Sequence, residues 1–262
     1  NFTNTHKIGI IIPTTSNKRN YSKVEDIDFF KTFMKNFISH INNNYNYTIY
    51  LGYDDDDKFY NQNLQQVEEY FDQITEGHNV NLKFVVIQGF KGRLGKIWSL
   101  LAQEAVKDNC DYLYQIGDDV EILTSGWEDK FINKLQELDN VGVVGPLDLG
   151  NGSILTQSFV HKTHLDIFEN YYPNELVNWH IDDWITEVYK PNNSFIMEEI
   201  KVKNLVNNRY NVVSGKKIYK KLLKRDMNLI NKYLSVEGFE DLVYQKVLYN
   251  GRGRVQNYIN NN

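Results

Sequence analysis

The sequence predicts an α/β domain with a mostly parallel sheet, helices on both faces of that sheet, and a helical extension at the carboxyl end. Apolar strand-like runs alternate with longer segments of helical apolar spacing, and short polar clusters follow the strands. The length of 262 residues and a hydrophobic content of 41% are enough to bury one large core. Ligands of such sheets bind beyond the carboxyl ends of the strands.

Each predicted strand is an apolar run, and each predicted helix carries apolar residues three or four positions apart. In chain order they are strand 7–13, helix 24–41, strand 48–53, helix 62–75, strand 82–88, helix 95–107, strand 112–123, helix 126–138 and strand 141–145. Helical spacing recurs at 218–234 and 242–248. We therefore expect a domain over residues 1–195 and a helical extension over residues 196–262 that packs on it.

Composition excludes several classes of protein. The formal charge is −5, whereas a nucleic-acid-binding domain usually has a net basic surface, so no nucleic-acid partner is expected. No apolar run approaches the roughly 20 residues that cross a bilayer, and the first residues lack the apolar segment of a signal peptide. We expect a soluble protein, either cytoplasmic or excised from a larger one. The single cysteine, Cys110, excludes an internal disulfide and a zinc site built from thiolates.

An acidic cluster follows the apolar run 112–116. Asp118 and Asp119 come directly after Gly117, and Glu121 follows two positions later. Along a continuous strand, Asp119 and Glu121 would project to one side and Asp118 to the other. Buried carboxylates are costly without a positive partner, and a divalent cation that holds a diphosphate is a common one. The cluster therefore favours nucleotide-sugar chemistry, with a solvated acidic turn as the alternative.

Polar clusters also follow the first three predicted strands, at residues 13–16, 54–57 and 91–96. Arg93 and Lys96 lie among glycines before a helix, whose start adds backbone donors and a positive dipole end. They are candidate diphosphate contacts, with a solvated basic loop as the alternative. The acidic run 54–57 is of a kind that is usually exposed, and we expect one member to act.

The segment 117–127 resembles the DxD region of GT-A glycosyltransferases, in particular the Glu-Asp-Asp-hydrophobic-Glu form of inverting N-acetylglucosaminyltransferases. The resemblance covers roughly residues 7–189, and Gly117 stands where that form has its first acid. It implies a GT-A, Rossmann-like fold, a UDP-sugar donor, and Mn²⁺ or Mg²⁺ held by Asp119. Glu121 and His164 are further candidate metal ligands.

The same resemblance implies roles for the other strand-end residues. Asp118 would face the ribose or the donor sugar. The remaining donor-binding candidates follow the first three strands: Pro13, Thr14, Thr15, Asp54, Asp55, Arg93 and Lys96.

A second match lies in residues 178–189. A similar Trp-Asp-Asp-Trp segment supplies the catalytic base of inverting N-acetylglucosaminyltransferases from its first Asp, which corresponds to Asp182, although Ile181 replaces the leading Trp. Asp183 is the second candidate. The aromatic side chains of Trp179 and Trp184 are candidates for stacking on an acceptor. The alternative for Asp182 is the N-cap of a helix over residues 183–189.

The expected function is metal-dependent transfer of a hexosyl or N-acetylhexosaminyl group from a UDP-sugar to a hydroxyl or other acceptor on a glycan or protein, with inversion. Three alternatives remain open. A retaining enzyme would need His161, His164 or His180 as a metal ligand, or would do without a histidine ligand, and a packed pair is the more ordinary role for the first two. A sugar nucleotidyltransferase would normally carry a Gly-rich motif where this chain has residues 13–17. A non-catalytic glycan-binding module would have lost the metal acids.

Overall fold

The computed structural model describes residues 6–205 and 236–262. Within these ranges, eight strands form one sheet in the order β3-β2-β1-β4-β7-β6-β8-β5. In chain order the strands are β1 (Lys7–Pro13), β2 (Asn46–Asp54), β3 (Val80–Ile87), β4 (Tyr112–Gln115), β5 (Val120–Ile122), β6 (Val143–Asp148), β7 (Ser158–His161) and β8 (Ser194–Asn204).

Helices connect most of these strands. They are α1 (Lys35–His40), which continues a π-helical segment (Phe29–Met34), α2 (Lys58–Ile74), α3 (Leu94–Lys107), α4 (Trp127–Gln136), α5 (Thr163–Phe168), α6 (Ile181–Val188) and the C-terminal helix (Val236–Asn261). A short 3₁₀ turn (Val24–Asp26) precedes α1. In the described part of the chain, no helix is both long and apolar enough to cross a membrane.

The sheet is mixed and mostly parallel, which confirms the predicted α/β class. β1 pairs in parallel with β2 and β4, β2 with β3, and β6 with β8. The antiparallel pairs are β4 with β7, β7 with β6, and β5 with β8. The carboxyl ends of β1, β2 and β4 therefore meet at one edge of the sheet.

The central strand β1 is buried on both faces. Ile10 and Ile12 pack into one core cluster and Ile11 into the other, because successive strand side chains point to opposite faces. Helix α3 lies so close to β1 that a Cβ on Gly9 would be 2.9 Å from the Cβ of Ala105. The predicted helices on both faces are confirmed by this arrangement.

The predicted strand 112–123 is in fact two strands. β4 ends at Gln115 and β5 begins at Val120, so Asp118 and Asp119 lie in the turn between them. β4 pairs with β1, whereas β5 crosses to the far edge of the sheet and pairs with β8. The predicted alternation of side chains from Asp118 to Glu121 is therefore wrong, because it assumed an uninterrupted strand.

The end of the sheet also differs from the prediction. The boundary at 195/196 falls inside β8, whose Ile200 and Val202 alternate with charged residues and are buried. The Lys- and Glu-rich solvent face of β8 conceals this alternation in the sequence. The helical prediction at 242–248 is confirmed by the C-terminal helix, in which Leu248 is buried. The predicted helix at 218–234 lies outside the described residues.

Candidate functional site

Two adjoining cavities open at the carboxyl ends of β1, β2 and β4. The acidic cavity, of about 230 Å³, is bordered by Asp118, Asp119 and Asp182. The Asp54 cavity, of about 300 Å³, is bordered by Asp54. Both cavities are also lined by Pro13 and Leu94, so they are neighbours at this edge of the sheet.

Asp118 borders the acidic cavity but is already hydrogen-bonded within the protein. Its Oδ2 accepts hydrogen bonds from Thr14 Oγ1 and Arg19 Nη1, both at 2.8 Å. Only 2% of Asp118 is exposed. Burial raises the pKa of its carboxyl, and the Arg19 guanidinium and the Thr14 hydroxyl act in the opposite direction. The predicted contact of Asp118 with ribose or sugar competes with these internal partners.

The loop after β1 is fixed by Asp57, which the sequence analysis did not single out. Asp57 is the N-cap of α2 and accepts a hydrogen bond from the Tyr60 amide at 3.3 Å. It also accepts from the Ser16 amide at 2.7 Å and from Thr15 Oγ1 at 3.2 Å. The Thr14 hydroxyl lies 2.8 Å from that of Tyr60. Pro13, Thr14 and Thr15 therefore border the Asp54 cavity on a rigid loop.

Asp54 is the member of the acidic run that faces a cavity. It is 9% exposed, and its carboxylate accepts no hydrogen bond from the described part of the chain. Burial raises the pKa of this carboxyl, and the Lys91 charge opposes the shift. Asp55 is exposed and does not border either cavity, while Asp56 pairs with Lys91 at 2.7 Å. The Asp54 carboxylate can therefore accept a hydrogen bond from a ligand.

The basic residues at the start of α3 do not border either cavity. Arg93 and Lys96 both lie beside the Phe90 ring, at 5.6 and 5.7 Å from its centre. Lys91 borders the Asp54 cavity instead. The backbone donors of the helix start are also occupied, because the Gly95 amide donates to Val177 O at 3.2 Å. The diphosphate contact of Arg93 and Lys96 stays a prediction, and the backbone amides of Leu94 and Gly95 already have partners within the protein.

Asn178 joins the start of α3 to the segment that precedes α6. Its Oδ1 accepts from the Leu94 amide at 2.8 Å, and its Nδ2 donates to Gly92 O at 2.9 Å. The next residue, Trp179, is 68% exposed and borders the acidic cavity together with Asn178. This double hydrogen bond positions the rim of the cavity.

Asp182 borders the acidic cavity from the first turn of α6. The N-cap of α6 is His180, at a φ of 64°, so the alternative reading of Asp182 as the cap is wrong. Asp183 does not border either cavity, and its Oδ2 lies 3.3 Å from His180 Nδ1. Trp184 is 1% exposed and packs against Phe168, so it is corrected from an acceptor contact to a core residue.

His164 is a core residue and not a metal ligand. Its Nδ1 lies 2.8 Å from Tyr189 Oη and its Nε2 lies 2.8 Å from Tyr171 O, so both ring nitrogens are occupied. Burial lowers the pKa of His164 to about 4. His161 ends β7 while His164 lies on α5, so the two do not share a helix face. The packed role considered for this pair is the one observed for His164.

Asp119, in the turn between β4 and β5, borders the acidic cavity and is the predicted cation ligand. Glu121 lies on β5 opposite Lys203 and does not border either cavity. In residues 6–205 and 236–262, no group of three His, Cys, Asp or Glu side chains is arranged to hold a metal. Gln115 and Gln157 also border the acidic cavity, and their Oε1 atoms accept hydrogen bonds from Ser158 and Thr156. One carboxylate at a cavity fits Mg²⁺ or Mn²⁺ bound together with ligand phosphates, and not a cage made by protein alone.

The sequence analysis missed Arg19 as well as Asn178. Arg19 is 7% exposed in its side chain and pairs with Asp118. The signal was available in principle, since a buried carboxylate requires a positive partner. The sequence does not show that a residue of the loop after β1 supplies it.

The sequence matches no family model and no curated protein. Similar solved structures include S. aureus TarS, a glycosyltransferase. TarS 1–349 in complex with UDP matches with a TM-score of 0.53 and 15% identity, over 92% of this chain and 70% of the TarS chain. A second structure of TarS 1–349 matches with a TM-score of 0.52 and 13% identity, over 91% and 69% of the two chains. At this identity the likeness shows the fold alone, which is a Rossmann-like glycosyltransferase fold.

Proposed function

We propose that this chain transfers a sugar from a UDP-sugar to an acceptor hydroxyl with inversion, using Mn²⁺ or Mg²⁺. One observation carries the proposal: Asp119 and Asp182, from segments 63 positions apart, border one cavity that adjoins the Asp54 cavity. The likeness to the UDP complex of TarS supports the donor class. The proposed sugar is a hexosyl or an N-acetylhexosaminyl group, and the proposed acceptor is a glycan or a protein.

The Asp54 cavity suits a nucleoside. Ile87 and Ile97 supply apolar walls against which a flat ring can pack. The Asp54 carboxylate lies at the cavity wall and would accept from a ring N–H, a donor that uracil has. Replacing Asp54 with Asn would substitute a donor for one acceptor oxygen, so we expect weaker binding of UDP.

The charges of the acidic cavity explain the need for a cation. Asp118, Asp119 and Asp182 border it, and Arg19 is the cation among its described lining residues. Three carboxylates and one guanidinium repel a diphosphate unless a further positive charge enters. Asp119 would hold a divalent cation, whose charge would offset this repulsion. When bound, that ion would stabilise the negative charge that grows on the leaving diphosphate.

Asp182 is the proposed general base. As the acceptor oxygen attacks the anomeric carbon, Asp182 takes its proton, and the bond from that carbon to the diphosphate oxygen breaks on the opposite face. Single displacement inverts the anomeric centre. The exposed Trp179 ring at the rim offers a flat surface on which an acceptor sugar can pack.

The test is turnover of a panel of nucleotide sugars with and without Mn²⁺, followed by NMR assignment of the product's anomeric configuration. Asp182→Asn should lower turnover about 10²–10⁴-fold while UDP affinity stays nearly unchanged. Asp183→Asn is the matched control, because Asp183 pairs with His180 outside the cavity. Equal activity of both variants, or a product that retains the donor configuration, would reject the proposed base.

A further inference from the structure

Arg19 makes a forked contact with Asp118 at the wall of the acidic cavity. Nη1 lies 2.8 Å from Asp118 Oδ2, and Nη2 lies 3.4 Å from Oδ1. Nη1 also lies 3.0 Å from Asp28 Oδ2 and 3.0 Å from the Tyr21 hydroxyl. The Arg19 side chain is 7% exposed and that of Asp118 is 3% exposed. The guanidinium is therefore held between two carboxylates inside the protein.

We infer that Arg19 is a positioning residue, which pairs with Asp118 to withhold that carboxylate from ligands and to leave Asp119 facing them. The inference rests on the proposed function and extends it to a residue of the loop after β1. It assigns different tasks to the two neighbouring acids. Asp118 is the internal anchor of the turn, and Asp119 is its ligand-facing carboxylate.

The geometry of the turn supports this division. Asp118 is attached to the loop after β1 through Thr14 and to the polar pair of Asp28 and Tyr21 through Arg19. On the other side of the turn, the Asp119 carbonyl accepts from the Leu205 amide at 3.0 Å. The turn is thus held through the side chain of Asp118 and through the backbone carbonyl of Asp119.

Gly117 leaves room for the Asp119 carboxylate. A Cβ at position 117 would lie 2.9 Å from Asp119 Oδ1, so any larger residue would force that carboxylate to move. Gly117 therefore admits the observed position of the Asp119 carboxylate, next to the anchored side chain of Asp118.

The choice of arginine fits the task. Its planar fork reaches both oxygens of one carboxylate, whereas a lysine ammonium offers a point charge without that geometry. Removing Arg19 alone would leave buried carboxylates without compensation. Removing Arg19 and the Asp118 charge together would relieve the share of that cost that falls on Asp118, while Asp28 keeps the hydrogen bond from the Tyr21 hydroxyl at 3.2 Å.

The experiment is a double-variant cycle of Arg19→Met, Asp118→Asn and the combined variant, compared with wild type. Urea unfolding measures stability, and calorimetry measures UDP affinity in saturating Mn²⁺. Lys31→Met is the control for loss of one positive charge at an exposed position. We expect Arg19→Met to weaken UDP binding at least about tenfold, and the combined variant to recover most of that loss and to be the more stable of the two. Arg19→Lys should be intermediate.

The inference would be overturned if the combined variant bound UDP more weakly than Arg19→Met, by the product of the two single effects. That result would identify Asp118 as a ligand of the donor or the metal. If Arg19→Met does not fold, the combined variant is compared with Asp118→Asn. The inference then expects the UDP affinities of these two proteins to differ by less than about threefold. Failure of the wild-type chain to bind UDP with Mn²⁺ would instead reject the proposed function, and the positioning role of Arg19 with it.

Discussion

Replacing Asn178 with Ala should both destabilise the protein and loosen the rim of the acidic cavity. The change removes the hydrogen bond from the Leu94 amide at 2.8 Å and the one to Gly92 O at 2.9 Å. The first of these satisfies a donor at the start of α3, a position where loss of a cap costs about 1 kcal/mol. Trp179 follows Asn178 directly and Asp182 lies one turn further, so both depend on this attachment.

The magnitude follows from the two contacts. Each net hydrogen bond contributes about 0.5–1.5 kcal/mol, so the loss of both lowers the free energy of unfolding by about 1–3 kcal/mol. For a protein of this size, about 2–4 °C of Tm is lost per kcal/mol. The expected decrease in Tm is therefore roughly 2–12 °C. Asn178→Asp keeps the acceptor and places a negative charge at the helix start, so it should lose less.

The assay is thermal unfolding followed by circular dichroism, with Asn174→Ala as the matched control. Asn174 accepts from Lys96 Nζ at 3.3 Å in an exposed contact, and its removal should change Tm by less than about 2 °C. Acceptor KM should rise in Asn178→Ala while UDP affinity changes little. If the Asn178 and Asn174 variants unfold at the same temperature, the attachment we describe does not stabilise the site.

Three further predictions concern other parts of the molecule. Burial raises the pKa of the Glu128 carboxyl from 4.5. Relative to the Glu128→Gln variant, the wild type should therefore lose free energy of unfolding as the pH rises above about 4.5. Urea titrations that give the same difference between the two proteins at every pH would contradict this. In steady-state kinetics, Trp179→Ala should raise the acceptor KM about 5- to 10-fold, and calorimetry should show UDP affinity within about twofold of wild type. A selective loss of UDP affinity would instead place Trp179 at the donor. Gly145→Ala should cost about 1–3 kcal/mol in urea unfolding, because its Cβ would collide with Gln157 O, while Gly253→Ala meets nothing within 4 Å and should not destabilise.

Local patterns in the sequence were enough to predict the α/β class. Strands such as β1 are continuous apolar runs because both faces are buried, and helices such as α3 repeat apolar residues at helical spacing. These signals depend on neighbouring residues alone. For the same reason, the polar clusters that follow successive strands could be assigned to one edge of the sheet before any distance was known.

The division of labour among the acids could not be predicted in this way. Asp118 and Asp119 are adjacent in sequence, yet Arg19, 99 positions from Asp118, pairs with the first. Trp179 and Trp184 lie in one short segment, and only packing against Phe168 places the second in the core. His164 looks like a candidate ligand until its ring nitrogens meet Tyr171 and Tyr189.

The elements, their alternation and the edge where polar residues gather can be read from the sequence, because strand and helix periodicity are local properties of the chain. Which of those residues border the cavity, and which are occupied elsewhere, depends on the tertiary structure. A buried carboxylate or imidazole, by contrast, is satisfied by whichever donor the fold brings to it, and that donor lies at no fixed distance along the sequence.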